Sequence, residues 1–484
     1  MSPARPPNPR LELTPQQMRA LGYRVVDLIA DHFARVHEKR VGTKGDPARL
    51  RPALLEPIPE NPKTEDEIFA RLNADVLPNI MNLFHPRFFA FVPGPANFVS
   101  AMGDALASGF NVFNGSWLGG SGPAALELTV IDWFRQLCGL PEGAGGLFVS
   151  GGSMANLTAL AAARHAKLDD RTQGAVVYYS DQTHSSVDRA LGVIGFLPDQ
   201  IRRIPCGPNF RLPIGALAAA VESDRGAGRR PFCVIANAGT TNTGAVDPLR
   251  DISAFCRAHN LWMHVDGAYG AGAVICDRGR RALEGIDLAD SLSLDPHKWL
   301  FQTIECGCVL VRDGEILKSA YRIMPDYLAE VHRHLSEVNP CDYGIQLTRG
   351  FRALKVWMSI QYFGMAAFRA AVDRGFQLAD AAERKLRTMP GWEIVTPSQL
   401  GIVTFRRRGA DEGYYHELHE AMLADGFAFL STTRLNGQTM LRLCSINPRT
   451  TEADIEQTLE WLETLLLGKV QRNSAGSHQL EVDT

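Results

Sequence analysis

The chain lacks an excess of charge of either sign: 50 Lys and Arg stand against 53 Asp and Glu among 484 residues, a formal net charge of −3. That balance removes the basic surface on which a nucleic-acid partner would depend. No apolar run reaches the ~20 residues of a membrane-spanning helix, so no membrane partner is expected. The first ten residues, Met-Ser-Pro-Ala-Arg-Pro-Pro-Asn-Pro-Arg, contain no apolar stretch of the kind a secretory leader needs. Nine scattered cysteines, an odd number, suit reduced thiols in a cytoplasmic protein. Cys306-Gly-Cys308 has no second Cys/His pair at zinc spacing, so no metal site is predicted, and the pair is expected at a buried strand edge. Internal repeats and low-complexity blocks are absent too. What is present is 45% hydrophobic and 21% charged residues, the mix of a globular chain with a large core. At this length two or three domains and an enzyme are the natural expectation.

Thr14-Pro15-Gln16-Gln17 reads as a helix start, with Thr14 as N-cap, Pro15 in the first turn and Gln17 closing a capping box. Met18, Leu21, Val25, Leu28 and Phe33 follow at helical spacing and give this helix one apolar face. Such a face on a leading helix suits packing on a second subunit, or ordinary packing within the chain. From Gly145 short β-rich runs alternate with helical stretches, at 147–149, 175–179, 232–236, 261–265, 291–294 and 308–311. That alternation predicts an α/β domain with a mostly parallel sheet and helices on both faces. A helix-rich stretch at 345–390 and a smaller α+β unit follow, with strands at 401–405 and 440–444. The expected domains are a helical dimerisation segment at 1–85, a large α/β domain at 86–375 and a small α+β domain at 376–470, with a frayed tail at 471–484.

In open α/β sheets ligands bind beyond the carboxyl ends of the strands. After Val149 comes Ser150-Gly151-Gly152-Ser153, bare backbone N–H groups plus a hydroxyl at a helix start, which suits a phosphate or serves as a tight connection. His184 follows the next strand. Asp266 directly follows the apolar run ending at Val265, where an unpaired carboxylate is costly. Lys298 lies just past Ser291–Leu294, flanked by His297 and Trp299, a setting in which lost hydration would lower its pKa and free its amine as a nucleophile. Each residue alone reads equally well as a structural or surface group. Together they meet the needs of pyridoxal 5′-phosphate: a lysine for its aldehyde, a carboxylate opposite the ring nitrogen, a phosphate cup and a flat group over the ring.

Ser150–Leu157, Asp181–Asp188, Gly239–Asp247, His264–Tyr269 and Asp295–Trp299 resemble, in order, segments of the group II pyridoxal-phosphate decarboxylases, which act on aromatic amino acids, histidine or glutamate. The likeness runs from about residue 12 to 465 and implies the fold-type I transferase architecture and a homodimer with active sites at the subunit interface. It implies that Lys298 carries the cofactor, Asp266 pairs with its ring nitrogen, His184 stacks on one ring face and Ala268 lies beneath the other. Gly152 and Ser153, with Asp295 and His297 nearby, are implied at the phosphate, and Thr240 or its neighbour Thr241 at the 3′-oxygen side. His-Lys-Trp-Leu leans towards the aromatic branch. Phe91 and Gly94, in the segment Phe84–Pro95, are implied at the substrate pocket, although Phe84, Phe88, Phe89 and Phe91 equally suit core packing, and Arg442 is implied as a carboxylate contact. The implied activity is decarboxylation of an L-amino acid, aromatic by this reading, to the amine and CO2.

One family feature is missing where it is expected. The family's loop tyrosine returns a proton to the α-carbon, and in related plant enzymes its loss accompanies oxygen-dependent conversion to an aldehyde. Counted back from Arg349–Lys355, it should fall near Val338-Asn339-Pro340, none of which is tyrosine. Tyr343 and Tyr327 are the nearest, at other spacings. Product formation by an aldehyde synthase therefore stands as the alternative, with an aminotransferase or an inactive homologue behind it. A nicotinamide dehydrogenase is disfavoured because Gly267–Gly272 reverses the dinucleotide glycine pattern. His332 and His334 are expected on a solvated loop, or closing over substrate, and Arg406–Arg408 as an exposed charge run.

Overall fold

The computed structural model describes residues 11–323, 334 and 336–477, with side chains only as far as 465. The N-terminal arm, Tyr327, His332 and the last residues of the expected tail lie outside that set. The chain divides into two units, one of residues 1–88, 411–430 and 449–484, the other of 89–410 and 431–448. The stretch 376–470, expected as one small domain, is thus shared between both.

In the second unit seven strands form one sheet: β1 (Gly145–Val149), β2 (Ala175–Ser180), β3 (Ile201–Ile204), β4 (Arg230–Asn237), β5 (Trp262–Asp266), β6 (Ser291–Leu294) and β7 (Gly307–Val311), in the order β1-β7-β6-β5-β4-β2-β3. β6, β5, β4, β2 and β3 pair in parallel, while β7 runs antiparallel to both β6 and β1. Six carboxyl ends therefore share one edge. Cys306 and Cys308, both buried, stand at the start of β7, at the strand edge expected for them.

Alternate residues explain the double cover, because successive side chains on a strand point to opposite faces. Phe148, Val176, Tyr178, Val234, Ala236, Met263 and Val265 enter one apolar cluster. Leu147, Val149, Val177, Tyr179, Cys233, Ile235 and Trp262 enter another. β3 escaped the sequence reading because Ile201-Arg-Arg-Ile204 is a short, charged edge strand, the sort that resists further pairing.

A second sheet, all antiparallel, runs β10 (Ser431–Leu435), β11 (Gln438–Cys444), β9 (Ile402–Arg407), β8 (Trp392–Gln399). β9 and β11 match the predicted strands. β8 carries Pro397, tolerated because it is an edge strand, and β10 is largely polar. Arg406 and Arg407 belong to β9: Arg406 pairs with Glu393 at 2.7 Å and Arg407 lies over the Trp392 ring, so only Arg408 is the exposed charge expected of all three.

The end of β1 is braced from within. Arg349, fully buried, pairs with Glu127 at 2.7 Å and donates to the Phe148 carbonyl at 2.7 Å, while Glu127 accepts the Phe148 N–H at 3.1 Å. β7 can sit against this end only because Gly307 has no side chain: a Cβ there would fall 2.4 Å from the Gly151 Cα.

In the first unit, helix Pro15–Arg35 starts at Thr14 with the predicted capping box. None of its residues is buried within the chain. No described helix is long and apolar enough to cross a membrane.

Candidate active site

The shared edge of carboxyl ends opens into a cavity of about 620 Å³. Its lining brings together Phe91, Gly152, Ser153, His184, Thr240, Asp266, Ala268, Asp295, His297, Lys298 and Arg442, residues drawn from seven separate stretches of sequence. Gly94 is the exception. It lies behind the cavity, where a Cβ would meet Ile304 Cδ1 at 3.5 Å and the His297 carbonyl at 3.6 Å.

Asp266 ends β5 with a carboxylate that accepts three donors: Asn156 Nδ2 at 3.0 Å, Ser293 Oγ at 3.1 Å and the Ala268 N–H at 3.2 Å. Three donors suit an ionised, acceptor-only group and fix its plane. His184 caps helix Ser185–Val193, its Nδ1 accepting the Ser186 N–H at 3.2 Å and lying 2.8 Å from Ser186 Oγ. Gly151 precedes helix Gly152–Leu168, whose first N–H groups precede the first intrahelical bond and so point free at the cavity. A Cβ on Gly152 would fall 2.6 Å from Ala268 Cβ and 2.9 Å from Asp295 Oδ2, so the backbone there forms a cradle that a side chain would fill.

The Lys298 amine is not bare, as expected from sequence, but sits 2.9 Å from Asp295 Oδ2. Asp295 anchors Lys298 and faces His297 Nε2 at 3.7 Å, while its Oδ1 has no hydrogen-bond partner among the described residues. Burial pushes the His297 imidazole below its usual pKa. Thr240 is buried, with its hydroxyl 2.8 Å from that of Thr243; Thr241, also lining the cavity, is more open.

Arg442 is buried in β11 and donates through Nη1 to the Phe91 carbonyl and to Ser431 Oγ. Its Nε and Nη2 have no hydrogen-bond partner among the described residues, and burial lowers its pKa. Of the aromatic cluster, Phe88 and Phe89 are core and Phe84 stacks on Phe33 at 4.6 Å. Only Phe91 reaches the cavity, 59% exposed.

The expected tyrosine position lies elsewhere. Val338, Pro340 and Tyr343 line a separate cavity of about 420 Å³ with Gly143–Leu147, on the strand β1 and the turn before it. His334 is exposed and lines neither cavity.

A lysine, a triply bonded carboxylate, a ring-bearing cap and a helix-terminal glycine cradle fit pyridoxal phosphate, and together they define a fold-type I enzyme of that cofactor. The comparisons carry this to the family. Residues 47–408 match the model of the pyridoxal-dependent decarboxylase conserved domain. The chain is 48% identical to an aromatic-L-amino-acid decarboxylase of Bacillus atrophaeus over 94% of this chain and 96% of that protein. It is 31% identical to a phenylacetaldehyde synthase of Arabidopsis thaliana over 91% and 94%. A solved structure of Oryza sativa TDC with PLP and tryptamine superposes with a TM-score of 0.89 at 29% identity, over 96% of this chain and all of that one. The chain belongs to the group II pyridoxal-phosphate-dependent decarboxylases and is an amino-acid carboxy-lyase with that cofactor.

Sequence reading missed Asn156, Ser186, His264, Ser291 and Ser293, which lie around Asp266 and His184. The signal was present. Asn156 stands four residues after Gly152, on the same helical face. His264 and Asp266 share one face of β5, in register with Ser291 and Ser293 on β6, polar groups at alternate positions of apolar strands.

Proposed function

We propose that the chain converts an aromatic L-amino acid to its amine and CO2. The observation that carries this is the 48% identity, nearly end to end, with an enzyme named for that substrate class. Pyridoxal phosphate, when bound, supplies a ring that accepts the electron pair freed as the carboxylate leaves. The chain's own residues set the conditions. Lys298 would provide the amine that holds the cofactor's aldehyde. Asp266 would hold a proton on the ring nitrogen, and the positive charge kept there would favour electron flow into the ring. The unpaired Nε and Nη2 of Arg442 suit a substrate carboxylate, which would offset the cost of burying the guanidinium alone. His184 would cap the ring, and Phe91, which lines the same cavity, would offer an aromatic face to the substrate side chain.

The alternative is oxidative: the amino acid, O2 and water give aldehyde, CO2, ammonia and hydrogen peroxide. It draws on the likeness to the phenylacetaldehyde synthase. Against it stands the higher identity to the decarboxylase, 48% against 31% for the synthase; within the chain Val338, Pro340 and Tyr343 line another cavity than Lys298. The test is product stoichiometry on aromatic substrates. One amine per CO2 without peroxide is expected, and stoichiometric peroxide would overturn amine production. Tyr343→Phe is expected to leave the amine-to-aldehyde ratio unchanged, whereas Tyr327→Phe should shift it towards aldehyde.

A homodimer and a cytoplasmic setting complete the proposal. No residue of helix Pro15–Arg35 is fully buried within the chain, and its Met18 is 53% exposed and Val25 38%. Such an apolar face needs a partner surface. Sedimentation velocity should give twice the chain mass, and the double variant Met18→Asp, Val25→Asp should shift it to monomer. Nine free cysteines suit a reducing compartment.

A further inference from the structure

Behind the cavity runs a chain of hydrogen bonds whose direction can be assigned throughout. Its fixed point is Asn156, buried, whose Nδ2 lies 3.0 Å from Asp266 Oδ2 and 3.0 Å from Ser186 Oγ. Turning this amide over would set its oxygen against a carboxylate oxygen, so the nitrogen must face Asp266. The Asn156 Oδ1 then accepts, and the atom facing it at 3.0 Å, His264 Nε2, must carry a hydrogen.

His264 is fully buried, which disfavours its charged form, so its other nitrogen is bare. That Nδ1 lies 2.9 Å from Ser291 Oγ, whose hydroxyl donates to it while accepting Trp262 Nε1–H at 2.8 Å. At the other end, Ser186 Oγ accepts from Asn156 and so gives its own hydrogen to His184 Nδ1 at 2.8 Å. The Ser186 N–H reaches the same nitrogen. A neutral His184 ring therefore has its hydrogen on Nε2, the nitrogen not engaged by Ser186.

We propose that Asn156 is a positioning residue that ties the Asp266 carboxylate and the His184 imidazole into one directed chain, aiming the first and fixing the second as the Nε2–H tautomer. Asn156 does not itself line the cavity. This rests on the assignment of Asp266 and His184 to the cofactor ring. One amide thus sets the two groups on which the ring depends, and the polarity is imposed from Trp262, a donor only. The two amide hydrogens go to different groups, one to Asp266 and one to Ser186, which bonds His184.

The test reads the protein in two ways. In the holoenzyme labelled with 15N-histidine, the His184 resonances, identified by their loss in His184→Gln, should show a bare Nδ1 and a protonated Nε2. A protonated Nδ1 would overturn the proposal. Asn156→Ala removes both donors, and Asn156→Asp keeps the volume while setting a carboxylate against Asp266. Each should lower kcat about 10- to 100-fold. Each should also weaken cofactor affinity, read by fluorescence titration of the apoenzyme, about 10-fold. KM should stay within about threefold, and Asn156→Asp should be the worse of the two. Thr158→Ala, equally buried on the same helix, should change neither quantity. Values within twofold of the parent in both Asn156 variants, or equal damage from Thr158→Ala, would overturn the proposal. An unaltered chain that bound no cofactor or released no CO2 would instead remove the functional reading beneath it.

Discussion

Lys298→Ala is expected to reduce CO2 release by about 10³-fold or more, the loss that follows when the nucleophile of a covalent mechanism is removed. Lys298 is the only lysine lining the cavity. Borohydride treatment of the parent holoenzyme should leave the reduced cofactor on the peptide containing Lys298, and the variant should retain none. The substitution also strips Asp295, a nearly buried carboxylate, of its partner at 2.9 Å and leaves only His297 at 3.7 Å. Removing one partner of such a charge-assisted bond costs about 1–3 kcal/mol, so a lower melting temperature is expected as well. Lys298→Arg separates the two effects. It keeps a cation for Asp295, and should restore thermal stability while leaving turnover and covalent retention lost. Substantial CO2 release from either variant would remove Lys298 from the reaction.

The same geometry shows what a single sequence can disclose. Lys298, Asp266, His184 and Gly152 were legible because each follows an apolar strand run, and the sheet must bring parallel carboxyl ends to one edge. The parallel strands β2, β4, β5 and β6 were legible for the same reason: residues buried on both faces read as continuous apolar runs. β3, β8 and β10 were not, since edge strands are short, charged or interrupted by proline, and local composition then resembles a loop. The contact of Asp295 with Lys298 was not legible, since the two stand three residues apart on irregular backbone and no local pattern fixes which side chains meet. Gly94 was placed at the substrate by its neighbours, yet the chain has already turned behind the cavity there. Counting along an irregular segment carries no period, so the loop tyrosine could only be bracketed near Val338–Pro340, a stretch that lies beside β1 at a second cavity. The polar groups behind Asp266 needed inter-strand register, which no local pattern provides.

Asp266→Asn is the second substitution expected to have a large effect. It is nearly isosteric, so the fold should survive, but it changes two things together. The negative charge facing the ring nitrogen is lost, and with it the preorganised stabilisation of charge drawn into the ring, a contribution whose removal costs about 10²- to 10³-fold in kcat. The hydrogen-bond pattern fails as well. Asp266 accepts from Asn156, Ser293 and the Ala268 N–H, whereas an amide at this position sets its own NH2 against at least one of those donors. Burial within the sheet edge leaves the side chain little room to turn away. The expected result is a kcat reduced by about 10²- to 10³-fold, with a smaller, about 10-fold, loss of cofactor affinity, since the phosphate cradle at Gly152 and the lysine are untouched. Asp266→Glu should recover part of the rate, because it returns the charge while displacing it by one methylene. Single-turnover CO2 release and apoenzyme titration together measure both quantities. A kcat for Asp266→Asn within tenfold of the parent would mean that the carboxylate at the end of β5 does not govern the electron-accepting ring, and Asp266 would have to be reassigned to a packing role.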